Sequence, residues 1–309
     1  MNLKPHCLAL ALLLAGLPSL GYTAQAAPAA GAQAQQPVTI LTSLPITYGL
    51  GEMLLKGTDV QLHRAAPANL PGTRQVSFFS GRGAAGLQKL AVKADAVIGL
   101  RSIWSDDPLY PMARRSNIRI VEIDAARPVD GALPGIATQS DSRAADGLSG
   151  QPWLAINNMG RMADVVAADL VRLAPNAKPQ VESNLAAFKQ QLLKLNADSE
   201  AALARADNLT VVSLSDRFDY LISGLNLDRL DVELPANNDW SADALQALTE
   251  TLKEDDVAIV LLHQAASAEL AAAITAGGSQ AVVLENDDSA PLASLETVIG
   301  QILKALGNS

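Results

Sequence analysis

The chain has 309 residues, about half of them hydrophobic, and its 32 acidic against 23 basic side chains give a net charge of −9. That negative surplus disfavours nonspecific binding to nucleic acid. A single cysteine, Cys7, excludes a disulfide framework, and the length allows two lobes of ordinary domain size, each with its own core.

The chain opens with Lys4, an apolar run from Cys7 to Leu17 and the small-x-small sequence Ala24-Gln25-Ala26. This order predicts an export signal over 1–26, cleaved near Ala26, and a periplasmic destination. The apolar run is shorter than the ~20 residues of a spanning helix. Cys7 and His6 leave with the signal, so only His63 and His263 remain, and a site built from three histidines is excluded. Residues 27–36, rich in Ala, Gln, Gly and Pro, predict a flexible tether.

From Val38, short apolar runs alternate with helical patterns. Strands are predicted over Val38–Thr42, Val60–His63, Ala96–Leu100 and Ile118–Ile123, and helices around Leu50–Lys56, Ala85–Lys93 and Leu109–Ser116. The alternation predicts a parallel sheet flanked by helices in an N-terminal α/β lobe over 37–155. Within it, Gly81-Arg82-Gly83-Ala84-Ala85-Gly86 matches the dinucleotide fingerprint and follows a short apolar run, Val76–Phe79. The strand ending at Leu100-Arg101 carries no acidic residue to hold a ribose, so a glycine-rich loop running into a helix is the better reading.

Residues 156–206 show no strand signal and predict a helical linker. Asn158 is placed to cap its first helix and Pro175 to end it. Val181, Leu185, Phe188, Leu192 and Leu195, spaced by four, three, four and three, form one apolar stripe on a long helix, which makes a stiff connector. A second α/β lobe over 207–309 follows. Its strands are predicted at Leu209–Ser213, Leu230–Leu234, Val257–Leu262 and Gln280–Leu284, and its helices near Ser241–Glu254, Ser267–Ala276 and Pro291–Leu306. His263 ends an apolar strand, where functional side chains gather in parallel sheets. The chain has neither a Gly-x-Ser-x-Gly elbow nor a His-Glu-x-x-His helix, which points away from an enzyme.

Three segments carry a family resemblance: Gln151-Pro152-Trp153-Leu154 with its following helix, Asn184 in the long helix, and Ser215-Asp216-Arg217-Phe218-Asp219-Tyr220. From Val38 to about Leu306 the chain resembles the metal-binding solute-binding proteins of bacterial zinc and manganese ABC importers, the cluster A-I type. The resemblance implies two α/β lobes with parallel sheets, a helical linker between them and a ligand held between the lobes. It also implies where metal ligands belong. The first family histidine falls in the loop 65–80, which contains none; the second falls on Gln151, the third on Ser215, and the carboxylate on Glu285. A glutamine, a serine and one carboxylate suit Zn²⁺ poorly, so Glu285 is at best the metal residue.

The expected cargo is therefore bulkier, a siderophore or other metal chelate, with any metal carried inside it. The expected ligand-binding residues are Arg74, Arg101, Trp104, Gln151, Trp153, Ser215, Arg217, Trp240, His263 and Glu285, because guanidinium forks pair with carboxylate or hydroxamate oxygens and aromatic walls suit flat organic groups. Arg217 and Arg101 are the expected charge partners. The expected protein partners are an inner-membrane ABC permease and a second periplasmic binding protein. A weak metal site using Glu285, His263 and Gln151, or a non-transporting periplasmic adaptor, are the alternatives.

Overall fold

The computed structural model describes residues 37–128, 131, 133–139, 148, 150–235 and 239–307. The signal and tether expected over 1–36 lie outside them. Thr39–Thr42 and Ala96–Gly99 are short β-branched or small apolar runs, buried almost throughout, and they form the central strands β1 and β3 of the first sheet. β2 (Gln61–Arg64) and β4 (Val121–Asp124) flank them, in the order β2-β1-β3-β4, all parallel. The helices of this lobe are α1 (Pro45–Leu55), α2 (Gln75–Ser80), α3 (Ala84–Ala91) and α4 (Leu109–Arg114).

Two expected boundaries are corrected here, at α1 and at β4. Helix α1 starts at Pro45 rather than near Leu50, because proline at a first helical position costs no hydrogen bond. Gly49, a poor helix former, lies in it because a Cβ there would sit 2.6 Å from both Pro291 Cδ and the Ser289 carbonyl oxygen. The run Val76–Phe79 is part of helix α2 and not a strand, so the glycine-rich segment lacks the strand–turn–helix setting of a dinucleotide site. Ile118 is exposed, and β4 begins only at Val121.

The middle of the chain folds as α5 (Ile156–Leu173) and α6 (Lys178–Leu203). Pro175 opens a 3-10 turn directly after the end of α5. Asn158 does not cap α5, whose N-cap is Ala155. Its buried amide instead accepts from the Ala137 N–H and donates to the carbonyls of Ala137 and Pro152. On α6, Val181, Phe188 and Leu192 are buried and Leu185 and Leu195 partly so. Asn184 on the same helix donates to the carbonyls of Leu54 and Lys56, satisfying the end of α1.

The second sheet repeats the strand arrangement of the first. β5 (Thr210–Ser213), β6 (Asp228–Leu230), β7 (Ile259–Leu262) and β8 (Gln280–Val283) run parallel in the order β6-β5-β7-β8. The pairing strand β6 precedes the predicted Leu230–Leu234 and shares only Leu230 with it. Around this sheet lie α7 (Asp219–Gly224), α8 (Ala242–Glu254), α9 (Ala268–Ala276) and α10 (Pro291–Leu306), with Ser241 and Ser267 capping α8 and α9 through their side chains. One apolar core runs through both lobes without a break, joining Ile40 and Leu50 to Phe188 and Leu192 and on to Val211, Ile259 and Leu295. Among the described residues no helix is long and apolar enough to cross a membrane.

Candidate functional site

The carboxyl ends of both sheets meet at a cleft of about 570 Å³. The first lobe contributes the start of α1 at Leu44–Ile46 and the loop Ala68–Thr73; the second contributes Ser215, Asp216, Arg217, His263 and Asp288; Leu148, Gln151 and Trp153 lie between. The loop is pinned at its base, where the buried Gln75 amide donates to the Ser43 carbonyl at 2.8 Å.

Gln151 occupies the left-handed region, at φ 47° and ψ 63°, a conformation that costs a non-glycine residue about 1–3 kcal/mol. Its side chain is nine-tenths buried, and Oε1 has no hydrogen-bond partner among the described residues. Such an acceptor is costly unless a donor arrives. Immediately after it, Pro152–Leu154 form a 3-10 turn that buries Trp153. The Trp153 indole N–H donates to Asp288 Oδ1 at 2.8 Å, linking the middle of the chain to the loop after β8. Asn286 donates to the same oxygen, and Asp288 lines the cleft. Burial raises the Asp288 carboxyl above the ordinary carboxylate range, opposed by the hydrogen bonds from Trp153 and Asn286 and by the Arg217 guanidinium.

The family-like segment Ser215–Tyr220 has a structural explanation residue by residue. Ser215 Oγ accepts from the Arg217 amide, starting a 3-10 turn. Phe218 is fully buried, Asp219 is paired to Arg229 at 3.0 Å, and Tyr220 Oη accepts from the Gln139 amide. Arg217 is exposed at the cleft. His263 is held below its ordinary value by burial and by Arg217, against the opposing pull of Asp216.

The structure brings together Gln151, Trp153, Ser215, Arg217 and His263 from the expected set and separates the others. Arg101 pairs with Glu122 at 3.5 Å and lines a different depression, at the ends of β3 and β4. Arg74 is exposed just beyond the lining stretch of its loop. Trp104 is buried in the core, Trp240 lines a neighbouring cavity, and Glu285 is exposed and off the cleft wall. Asp288, three residues on, stands where Glu285 was expected. The sequence signal that could have found it is the Asn286–Ser289 turn, in which Asp287 binds the Ser289 amide and hydroxyl and turns the chain back.

With this geometry in place, the similarities to known proteins can be read. A family model described as ZnuA, zinc-uptake complex component A, periplasmic, matches residues 111–300, more than half of the chain. The chain belongs to this family. It is a family of periplasmic, metal-binding solute-binding proteins of ABC importers, working with a permease and an ATPase, and not of enzymes. No curated protein sequence matches. A crystal structure of ZnuA is similar with 22% identity and a TM-score of 0.62, covering 88% of this chain and 100% of that one. A mutant of FpvC from Pseudomonas aeruginosa, at 18% identity and a TM-score of 0.66, covers 88% and 100%. The metal-dependent lipoprotein YcdH from Bacillus subtilis, at 18% and 0.63, covers 89% and 99%. At these identities the likeness establishes the fold. A family member's bare divalent ion fits poorly here: among the described residues no three His, Cys, Asp or Glu side chains cluster as ligands, and the cleft offers one imidazole, the Asp216 and Asp288 carboxylates, neutral oxygens and the Arg217 guanidinium.

Proposed function

We propose that this family member captures a metal chelate of the siderophore class, rather than a bare ion, in the cleft between its lobes and delivers it to an ABC permease. The observation that carries this reading is the pairing of an unsatisfied buried acceptor, Gln151 Oε1, with the exposed guanidinium of Arg217 in one roomy cleft. A chelate has oxygen atoms for the guanidinium and N–H or O–H donors for the glutamine; a bare cation would meet the glutamine oxygen but be repelled by Arg217. The volume also lies within the usual range of organic-ligand sites, roughly 300–1,000 Å³.

The same proposal takes 1–26 as a removed export signal, 27–36 as a tether, 37–155 and 207–309 as the lobes, and 156–206 as the linker. N-terminal sequencing of the periplasmic form should begin near Ala27. The test of the cargo is titration of ferric acetohydroxamate and of free Zn²⁺ into wild type and Arg217→Ala, followed by calorimetry and tryptophan fluorescence. The chelate should bind and weaken about ten- to a hundredfold in Arg217→Ala. Tight binding of free Zn²⁺ with none of the chelate would replace this reading with the second one, a direct metal site on His263 and Asp288, which share the cleft wall.

A further inference from the structure

A second cavity, of about 530 Å³, opens at the carboxyl edge of the C-terminal sheet and has His263 in common with the cleft. In the order β6-β5-β7-β8 the chain leaves β5 toward one edge and leaves β7 toward the other. The crevice between β5 and β7 is thus the point where strand order reverses, and open parallel sheets bind ligands there. The cavity occupies that point, since Leu214 directly follows β5 and His263–Ser267 directly follow β7. Neighbouring residues divide between the two spaces: Leu214 lines this cavity and Ser215 lines the cleft.

The chemistry of the second cavity differs from that of the cleft. Leu214, Leu262 and Leu270 are buried and give it an apolar floor, and the half-buried Trp240 supplies a flat wall. Helix α9 starts here, but its N-terminus is already served. Ser267 Oγ accepts from the Leu270 amide at 3.2 Å, and the Glu269 carboxylate, in the first turn, is held low by its own amide and the Ser267 hydroxyl. An incoming anion would meet Glu269, whereas an uncharged ring meets an indole face and leucine methyls.

We propose that this cavity is a second subsite, taking an uncharged aromatic arm of the ligand, which crosses over His263 from the cleft. The ligand's chelating end rests on the cleft reading above; the ring site is tested without it. The probes are benzyl alcohol and its saturated counterpart cyclohexylmethanol, followed by saturation-transfer NMR and shift titration on the whole protein. The variants are Trp240→Ala, which removes the flat wall, and Ala265→Tyr, which fills the cavity from an exposed position and leaves the core intact. Benzyl alcohol should bind wild type more tightly than cyclohexylmethanol, and each variant should weaken it by about tenfold while circular dichroism stays unchanged. No saturation of the ring in wild type, equal binding of the two alcohols, or undiminished binding in Ala265→Tyr would each overturn the proposal. Ferric acetohydroxamate titrated into the same samples separates the two readings: a ring that binds beside a chelate that does not leaves this subsite standing and removes the cleft assignment.

Discussion

Gln151 and Ser215 each occupy a position where the resemblance places a histidine, and the loop 65–80 lacks the family's first one. Both face the space that His263 and Asp288 also line. Replacing both, as Gln151→His with Ser215→His, would put three imidazoles beside the Asp288 and Asp216 carboxylates around one volume, a donor set Zn²⁺ favours. The double variant is expected to bind free Zn²⁺ at least about a hundredfold more tightly than wild type by calorimetry, an increase of about 2.7 kcal/mol. His263 has a separate signature. Its folded value lies below the ordinary 6.5, so the unfolded chain takes up a proton at a pH where the folded protein does not, and stability falls as pH drops through 6.5 toward the depressed value. His263→Gln should flatten the melting temperature across that window while the slope of wild type remains, and an unchanged slope would mean that the titration of His263 is the same in both states.

Among the elements, α6 shows how one polar residue fixes a helix against its neighbour. Asn184 donates at 2.9 Å to each of two carbonyls at the end of α1, Leu54 and Lys56, groups that a helix end otherwise leaves open. Asn184→Ala should cost about 1–3 kcal/mol in urea unfolding, from two lost bonds and carbonyls exposed to partial burial. Element boundaries were legible wherever composition is locally consistent: the buried run Ile259–Leu262, the cap at Ser267 and the helix opening at Pro291 all follow from their own residues. They were not legible where tertiary contact decides. Gly49 sits in α1 because α10 begins against it, and Asn158, a good cap by type, is buried by the loop at Ala137. The cleft divided along the same line. Gln151, Ser215 and Arg217 belong to segments with a family pattern, while Arg101 ends a strand, as a binding residue would, yet is held by Glu122.

At the scale of the whole molecule, the two sheets repeat one strand order, but their packing is not independent, because a single apolar cluster passes from Leu50 through Phe188 and Leu192 to Leu295. Two lobes with a common core should unfold together. Thermal melts followed by far-UV circular dichroism and by tryptophan fluorescence are expected to coincide, and Leu192→Ala, which opens a hole in the part of the core contributed by α6, should shift both transitions together, with a stability loss of about 2–5 kcal/mol. Two separated transitions would show that the lobes melt as separate bodies.

The close approach of Gly49 to Pro291 has a further consequence for selectivity. It sets α1 of one lobe against the start of α10 in the other with no room for even a methyl group between them, so a side chain at position 49 would push these two elements apart. Gly49→Ala should therefore shift the distance between the cleft walls, and with it the size of solute the cleft can hold.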